Sequence, residues 1–170
     1  PHSPYIVDEA YSDPYVAQVE HQDRANFYGM ITAIDENFGV LQQKLEAWGL
    51  ADNTILIFMT DNGSSGGATL DQDGFVVDGY NAGMRGLKGW EYDGGHRVPF
   101  FIRWPGGGIG GGQDVTELTA NVDIMPTLLD LCGVDPGEHT FDGTSLASRL
   151  RGGVDDWPDR VMVTDSQRLA

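Results

Sequence analysis

The chain has 170 residues, enough for one domain with an ordinary core, and its 40% hydrophobic content excludes a disordered polymer. With 26 acidic against 10 basic residues it carries a net charge of −16, which excludes a nucleic-acid-binding face. No run of about 18 apolar residues occurs, so no segment reads as a membrane span. The acidic balance repels anions at long range, and any anion site must therefore be a local cluster of donors.

In chain order, PHSPYIVDEAY has neither a basic start nor an apolar centre and is no signal peptide. Without a leading Met, Pro1-His2 reads as cut from a longer chain. A helix is expected from Asp13, with Asp13 as N-cap and Pro14 in its first turn. Phe27, Met30, Ile31, Ile34, Phe38, Leu41, Leu45 and Trp48 recur three and four residues apart and predict a core-facing stripe that ends at Gly49. Thr54–Met59 is short, β-branched and apolar throughout, as a strand covered on both faces should be.

A helix leading to such a strand gives the α/β rhythm of a mostly parallel sheet flanked by helices. Residues 63–97, rich in glycine, aspartate and tyrosine, read as a long functional loop. A second strand is expected over Val98–Trp104, with Pro99 at its start, and then a flexible Gly106–Gly112 connector. Val122–Leu131 predicts a helix capped by Asp123 and closed by Gly133. Ser145–Leu150 predicts a helical turn and Arg160–Thr164 a last strand. The single cysteine, Cys132, excludes an internal disulfide and reads as a buried thiol.

Two groups can carry chemistry. Asp61 and Asn62 leave the carboxyl end of a strand, where open sheets build their sites. A carboxylate and an amide oxygen suit a hard cation such as Ca²⁺ or Mg²⁺, although Asp-Asn-Gly is more often a plain turn. The stretch MRGLKGWEYDGGHRVP gathers Arg85, Lys88, His96 and Arg97, with glycines that let backbone approach a ligand. It suits a phosphate or sulfate group, or else a solvated loop paired with Glu91 and Asp93. Trp90 and Tyr92 can floor a sugar or anchor the loop. His21 and His139 receive no role. No G-x-S-x-G elbow and no Walker-type loop occurs.

Taken in order, PHSPY, the segment ending in FMTDNG, MRGLKGWEYDGGHRVPFFIRWPG, NVDIMPTLLDLCGV and FDGTSLASRLRG resemble the second half of the catalytic domain of the sulfatase family, within the alkaline-phosphatase superfamily. The resemblance covers nearly the whole chain. It implies a partial alkaline-phosphatase-like α/β fold in one piece, divided as 1–62 helix and strand, 63–97 active-site loop and 98–170 C-terminal part. It implies that Asp61 and Asn62 hold an active-site Ca²⁺, with Mg²⁺ less suited. Lys88 and His2 then contact the sulfate group, His2 also as a proton donor, with Arg85 and His96 facing substrate or supporting the site. The family's formylglycine arises from a Cys/Ser-x-Pro-x-Arg motif. Neither Cys132-Gly133-Val134 nor Ser3-Pro4 matches that motif, so the chain is expected to be part of a sulfatase and inactive alone. The implied substrates are aryl sulfates or sulfated sugars, and the implied location is periplasmic or secreted. Unpaired sheet edges favour a homo-oligomer. A phosphonate or phosphodiester hydrolase, or a non-catalytic module binding calcium or sulfated glycans, are the competing readings.

Overall fold

The computed structural model of the chain describes residues 1–154 and 156–164. Two compact units form, one chiefly from residues 1–49 and 58–101, the other from 50–57 and 102–163.

The first unit opens with two helices rather than one. Helix α1 (Glu9–Val16) starts before the expected N-cap, because the Asp8 carboxylate accepts from Ala10 N at 2.9 Å. Pro14 lies inside it, and the chain leaves helical hydrogen bonding soon after. Helix α2 (Gln22–Ala47) then begins at His21, whose side chain makes no capping bond. Backbone contact cements the pair: a Cβ at Gly29 would stand 2.9 Å from the Tyr11 carbonyl carbon. Tyr15 Oη and Thr32 Oγ1 meet at 2.7 Å.

The apolar stripe of α2 is only partly a core face. Phe27 is 4% exposed, but Ile31, Ile34 and Leu41 are more than two-fifths exposed and Trp48 is 64% exposed. Phe38 and Leu45 on the same stripe are half-buried, so the stripe is covered only in places, which corrects the expectation of a fully core-facing stripe.

Strand β1 (Leu56–Met59) is shorter and less buried than predicted, and its Phe58 ring meets Phe38 edge-on at 5.4 Å. The region read as one loop contains an antiparallel hairpin of β2 (Ala68–Leu70) and β3 (Val76–Gly79), with Ala68 opposite Gly79 and Thr69 opposite Asp78. Asp71 builds its turn by accepting from the Asp73 and Phe75 amides at 3.0 and 2.9 Å. Arg24, 7% exposed, ties α2 to the hairpin through Thr69 Oγ1 at 2.5 Å and an ion pair with Asp78. Strand β4 (Phe100–Arg103) follows Pro99 and pairs with β1.

The second unit centres on Ile109, Leu131 and Ala147, with Ile55, Ile102, Trp104 and Leu150 packed against them. The glycine-rich connector is a tight turn here, because Trp104 and Ile109 exchange two backbone hydrogen bonds of 2.7 and 2.9 Å. The expected helix runs over Ile124–Cys132, and Ala147–Leu150 forms the expected turn. Cys132 is exposed, because the helix buries Thr127 and Leu131 on its other faces.

Asp123 stands at the start of that helix but does not cap it. Its carboxylate is taken up by the Ala120 and Thr144 amides, both at 2.8 Å, and by Arg160 at 3.0 and 2.6 Å. This also corrects the predicted strand over Arg160–Thr164. Arg160 is fastened by its side chain, while Val161 and Val163 stand 88% and 92% exposed with no ladder partner among the described residues.

Candidate active site

The candidate residues Asp61, Asn62, Lys88 and His2 all belong to the first unit, and backbone contacts gather their segments. The loop leaving β1 is fastened to the lysine loop at two points: Gly63 N donates to Gly95 O, and Lys88 N donates to Ser64 O, both at 2.9 Å. The approach demands glycine. A Cβ at Gly63 would lie 1.8 Å from Gly94 O, and one at Gly94 would lie 2.0 Å from Gly86 O. The glycines expected to let backbone approach a ligand therefore serve first to let three stretches of backbone touch.

The N-terminal segment reaches the same loop. Tyr5 Oη donates to Ser65 Oγ at 3.4 Å, Ser65 Oγ donates to Pro1 O at 3.5 Å, and Asn26 Nδ2 donates to Tyr5 O at 3.0 Å. The Tyr5 ring meets Phe27 edge-on at 5.5 Å. His2 is exposed, and its Nδ1 donates to the Ser3 carbonyl at 2.7 Å. That bond engages Nδ1 as a donor and leaves Nε2 without a partner among the described residues.

Lys88 is half-buried and makes no ion pair among the described residues, so its charge is available to a ligand. Asp93 stands 3.7 Å from Arg97, an exposed pair of little energetic weight. Asp61 is exposed and Asn62 half-buried, and the side chains of both are free of hydrogen-bond partners among the described residues. No group of three or more His, Cys, Asp or Glu residues suited to a metal occurs among the described residues. The donor set is therefore two oxygens, which fits a hard cation chemically and supplies part of its usual six to eight ligands.

Arg85 has a different position from the one expected. Its guanidinium lies 3.7 Å from the Tyr92 ring centroid and 5.4 Å from that of Phe75, and Nε donates to Asp73 O at 2.7 Å. It bolts the hairpin turn to the lysine loop. Tyr92 is covered by that stack, while Trp90 stays 37% exposed. His96 ends the single helical turn Asp93–His96 and is exposed, without a side-chain partner among the described residues.

Sequence reasoning missed Asn81. It is 6% exposed, and its Nδ2 donates to Met84 O at 2.7 Å and Gly86 O at 3.0 Å. The available signal was an asparagine placed just ahead of a glycine-broken stretch, where its side chain can bond turn backbone. The second unit has a pocket of about 410 Å³ lined by Pro126, Leu129, Val134 and Phe141, which holds none of the candidate residues.

Comparison with known proteins places the chain in a family. The family model described as Sulfatase matches residues 1–134. Steryl-sulfatase of Rattus norvegicus is 36% identical over 125 residues, 73% of this chain and 21% of that protein. Among solved structures, Ps i-CgsB in complex with k-i-k-neocarrahexaose superposes with a TM-score of 0.75 at 26% identity, covering 90% of this chain and 32% of that one. Phosphonate monoester hydrolase of Agrobacterium radiobacter gives a TM-score of 0.60 at 35% identity, covering 81% of this chain and 25% of that one. The fold is thus the α/β fold of the alkaline-phosphatase superfamily, present in part, and the chain belongs to the sulfatase family. It spans about a fifth of the steryl-sulfatase it matches.

Proposed function

We propose that the protein carrying this chain hydrolyses sulfate esters, and that the chain supplies one side of the active site. The observation that carries the reading is the pair of 2.9 Å backbone bonds joining the Asp-Asn-Gly loop to the lysine loop. Those bonds put an oxygen donor pair and an unpaired cation on one rigid frame, which is what a bound sulfate ester needs.

Asp61 and Asn62 would hold Ca²⁺ through their side-chain oxygens, with the remaining ligands coming from outside this chain. Mg²⁺ fits less well, because it demands near-ideal octahedral geometry. When bound, the cation polarises a sulfuryl oxygen. Lys88 acts as a point charge on the sulfate and on the leaving oxygen as negative charge develops there. His2, protonated at Nε2, donates to the sulfate or to the leaving oxygen. His96, exposed at the end of the same loop, would face substrate or support the site. Arg85 supports the loop rather than the sulfate, since its guanidinium is stacked and its Nε is bonded. The Cys/Ser-x-Pro-x-Arg motif that yields the family's formylglycine does not occur in these 170 residues, and on this reading the chain alone would not turn over substrate.

The substrate class is an aryl sulfate or a sulfated sugar. The neocarrahexaose in the Ps i-CgsB complex supports the sugar, and the exposed edge of Trp90 offers it a surface. Family resemblance supports a periplasmic or secreted location. No described helix is long and apolar enough to cross a membrane.

The phosphonate hydrolase relative favours a second reading, hydrolysis of phosphonate or phosphodiester substrates by the same clamp. A panel of matched aryl sulfate, phosphonate and phosphodiester substrates, run with the full-length protein, separates the two. Sulfate preferred by at least about tenfold in kcat/KM, a difference of about 1.4 kcal/mol, supports the first reading. The reverse preference assigns the second. Turnover of none, with calcium or sulfated glycan still bound, identifies a binding module.

A further inference from the structure

We propose that Asn81 is the positioning residue of the lysine loop, its buried carboxamide fixing the backbone from which Lys88 reaches its anion. The inference rests on the role given to Lys88 above.

The bonds to Met84 O and Gly86 O settle the amide's orientation, because a flipped group would set Oδ1 against two acceptors. Both N–H donors are therefore in use. Oδ1 is enclosed with no donor among the described residues. An unpaired buried acceptor is unfavourable, so the side chain's contribution lies in its two donors. Between Asn81 and Met84 the chain passes through Ala82 at φ 59° and Gly83 at φ 72°. Alanine rarely adopts such a conformation, and the Asn81 bonds sustain it.

From the turn that Asn81 grips, three backbone bonds of the lysine loop follow within four residues. Gly86 N donates to Gly74 O at 2.8 Å, which reaches the hairpin. Arg85 O accepts from Gly94 N at 2.7 Å, which fixes the turn that holds Gly63. Two residues past Gly86, Lys88 N reaches Ser64 O at 2.9 Å. Asn81 itself is buried away from any ligand and acts only through this backbone.

The test is a double-mutant cycle in the full-length protein, with Asn81→Ala and Lys88→Ala assayed on an aryl sulfate. Asn81→Ala is expected to lower kcat by about 10–100-fold with KM changed less than about threefold, since displacing a lysine that acts on developing charge costs transition-state stabilisation. In the Lys88→Ala background the same change is expected to alter kcat by less than about threefold. Asn81→Asp, equal in size but without donors, should match alanine. Asn81→Ser, with one donor, should recover part of the rate, and it takes the alanine variant's place in the cycle if that variant does not accumulate.

Additive losses in the cycle, or an Asn81→Asp enzyme with wild-type kcat, overturn the inference alone. Wild-type turnover in Lys88→Ala overturns the underlying reading, and this inference with it.

Discussion

Asp123 is 0% exposed, and its two oxygens receive four hydrogen bonds, which makes Asp123→Asn a sharp perturbation. Oδ1 faces Thr144 N and Arg160 Nη1, while Oδ2 faces Ala120 N and Arg160 Nη2. An asparagine has one oxygen, so in either orientation its NH₂ is set against two donors, and Arg160 loses its counter-charge. Removing one partner of a buried pair costs about 3–5 kcal/mol. For a chain of this size that corresponds to a fall in Tm of about 6–20 °C.

The pH dependence has a definite sign. Burial by itself pushes the Asp123 carboxyl up, but the Arg160 hydrogen bonds, the Ala120 and Thr144 amides and the Arg160 charge outweigh it, and the carboxyl titrates below its usual range. Stability from a lowered carboxyl is full above the unfolded value of about 3.9 and is lost as pH falls through the folded one. Urea melts of wild type and Asp123→Asn across pH 2–7 are the assay. The gap between them should be widest near neutrality and close in acid. A difference under about 0.5 kcal/mol at pH 7, the size of an ordinary surface substitution, would refute the argument.

Gly94→Ala forces a Cβ to within 2.0 Å of Gly86 O and 2.6 Å of Arg85 O. The loops must part, and turnover should fall with a stability loss of about 1–3 kcal/mol, read by melting and kinetics together. Calcium removal by chelation should abolish activity of the full-length protein. Ca²⁺ should restore it better than Mg²⁺, because the oxygen pair Asp61–Asn62 belongs to a larger, flexible coordination sphere. Equal rescue by Mg²⁺, or no effect of chelation, would remove calcium from the account.

The chemistry of the site was legible because it is local. An Asp-Asn pair after an apolar run and a lysine among glycines each stand out as candidates within a few residues, and the family resemblance is what attaches roles to them. What joins them was not legible. The bonds Gly63 N–Gly95 O and Lys88 N–Ser64 O are made by backbone, and backbone groups are the same at every position. The glycines at 63 and 94 left a trace, but Gly63 read as part of a turn and Gly94 as backbone free to approach a ligand.

The break between α1 and α2 was hidden because Asp8 and Asp13 both satisfy the rule for an N-cap, and contact with the rest of the unit decides between them. Val161-Met162-Val163 has strand composition, yet a strand needs an edge to pair with. Here the Arg160 side chain holds the segment instead, through Asp123. Arg85 was read by its charge, whereas its planar, delocalised cation is what the structure uses.

The central claim is that the Asp61–Asn62 loop and Lys88 act together on one sulfate ester. The most direct measurement is kcat/KM of the full-length protein on an aryl sulfate, comparing wild type with Lys88→Ala and Asp61→Ala. Each substitution is predicted to lower kcat/KM by at least about 10²-fold, the usual loss when one preorganised electrostatic contact to a developing charge is removed. Wild-type turnover in both variants would contradict the account.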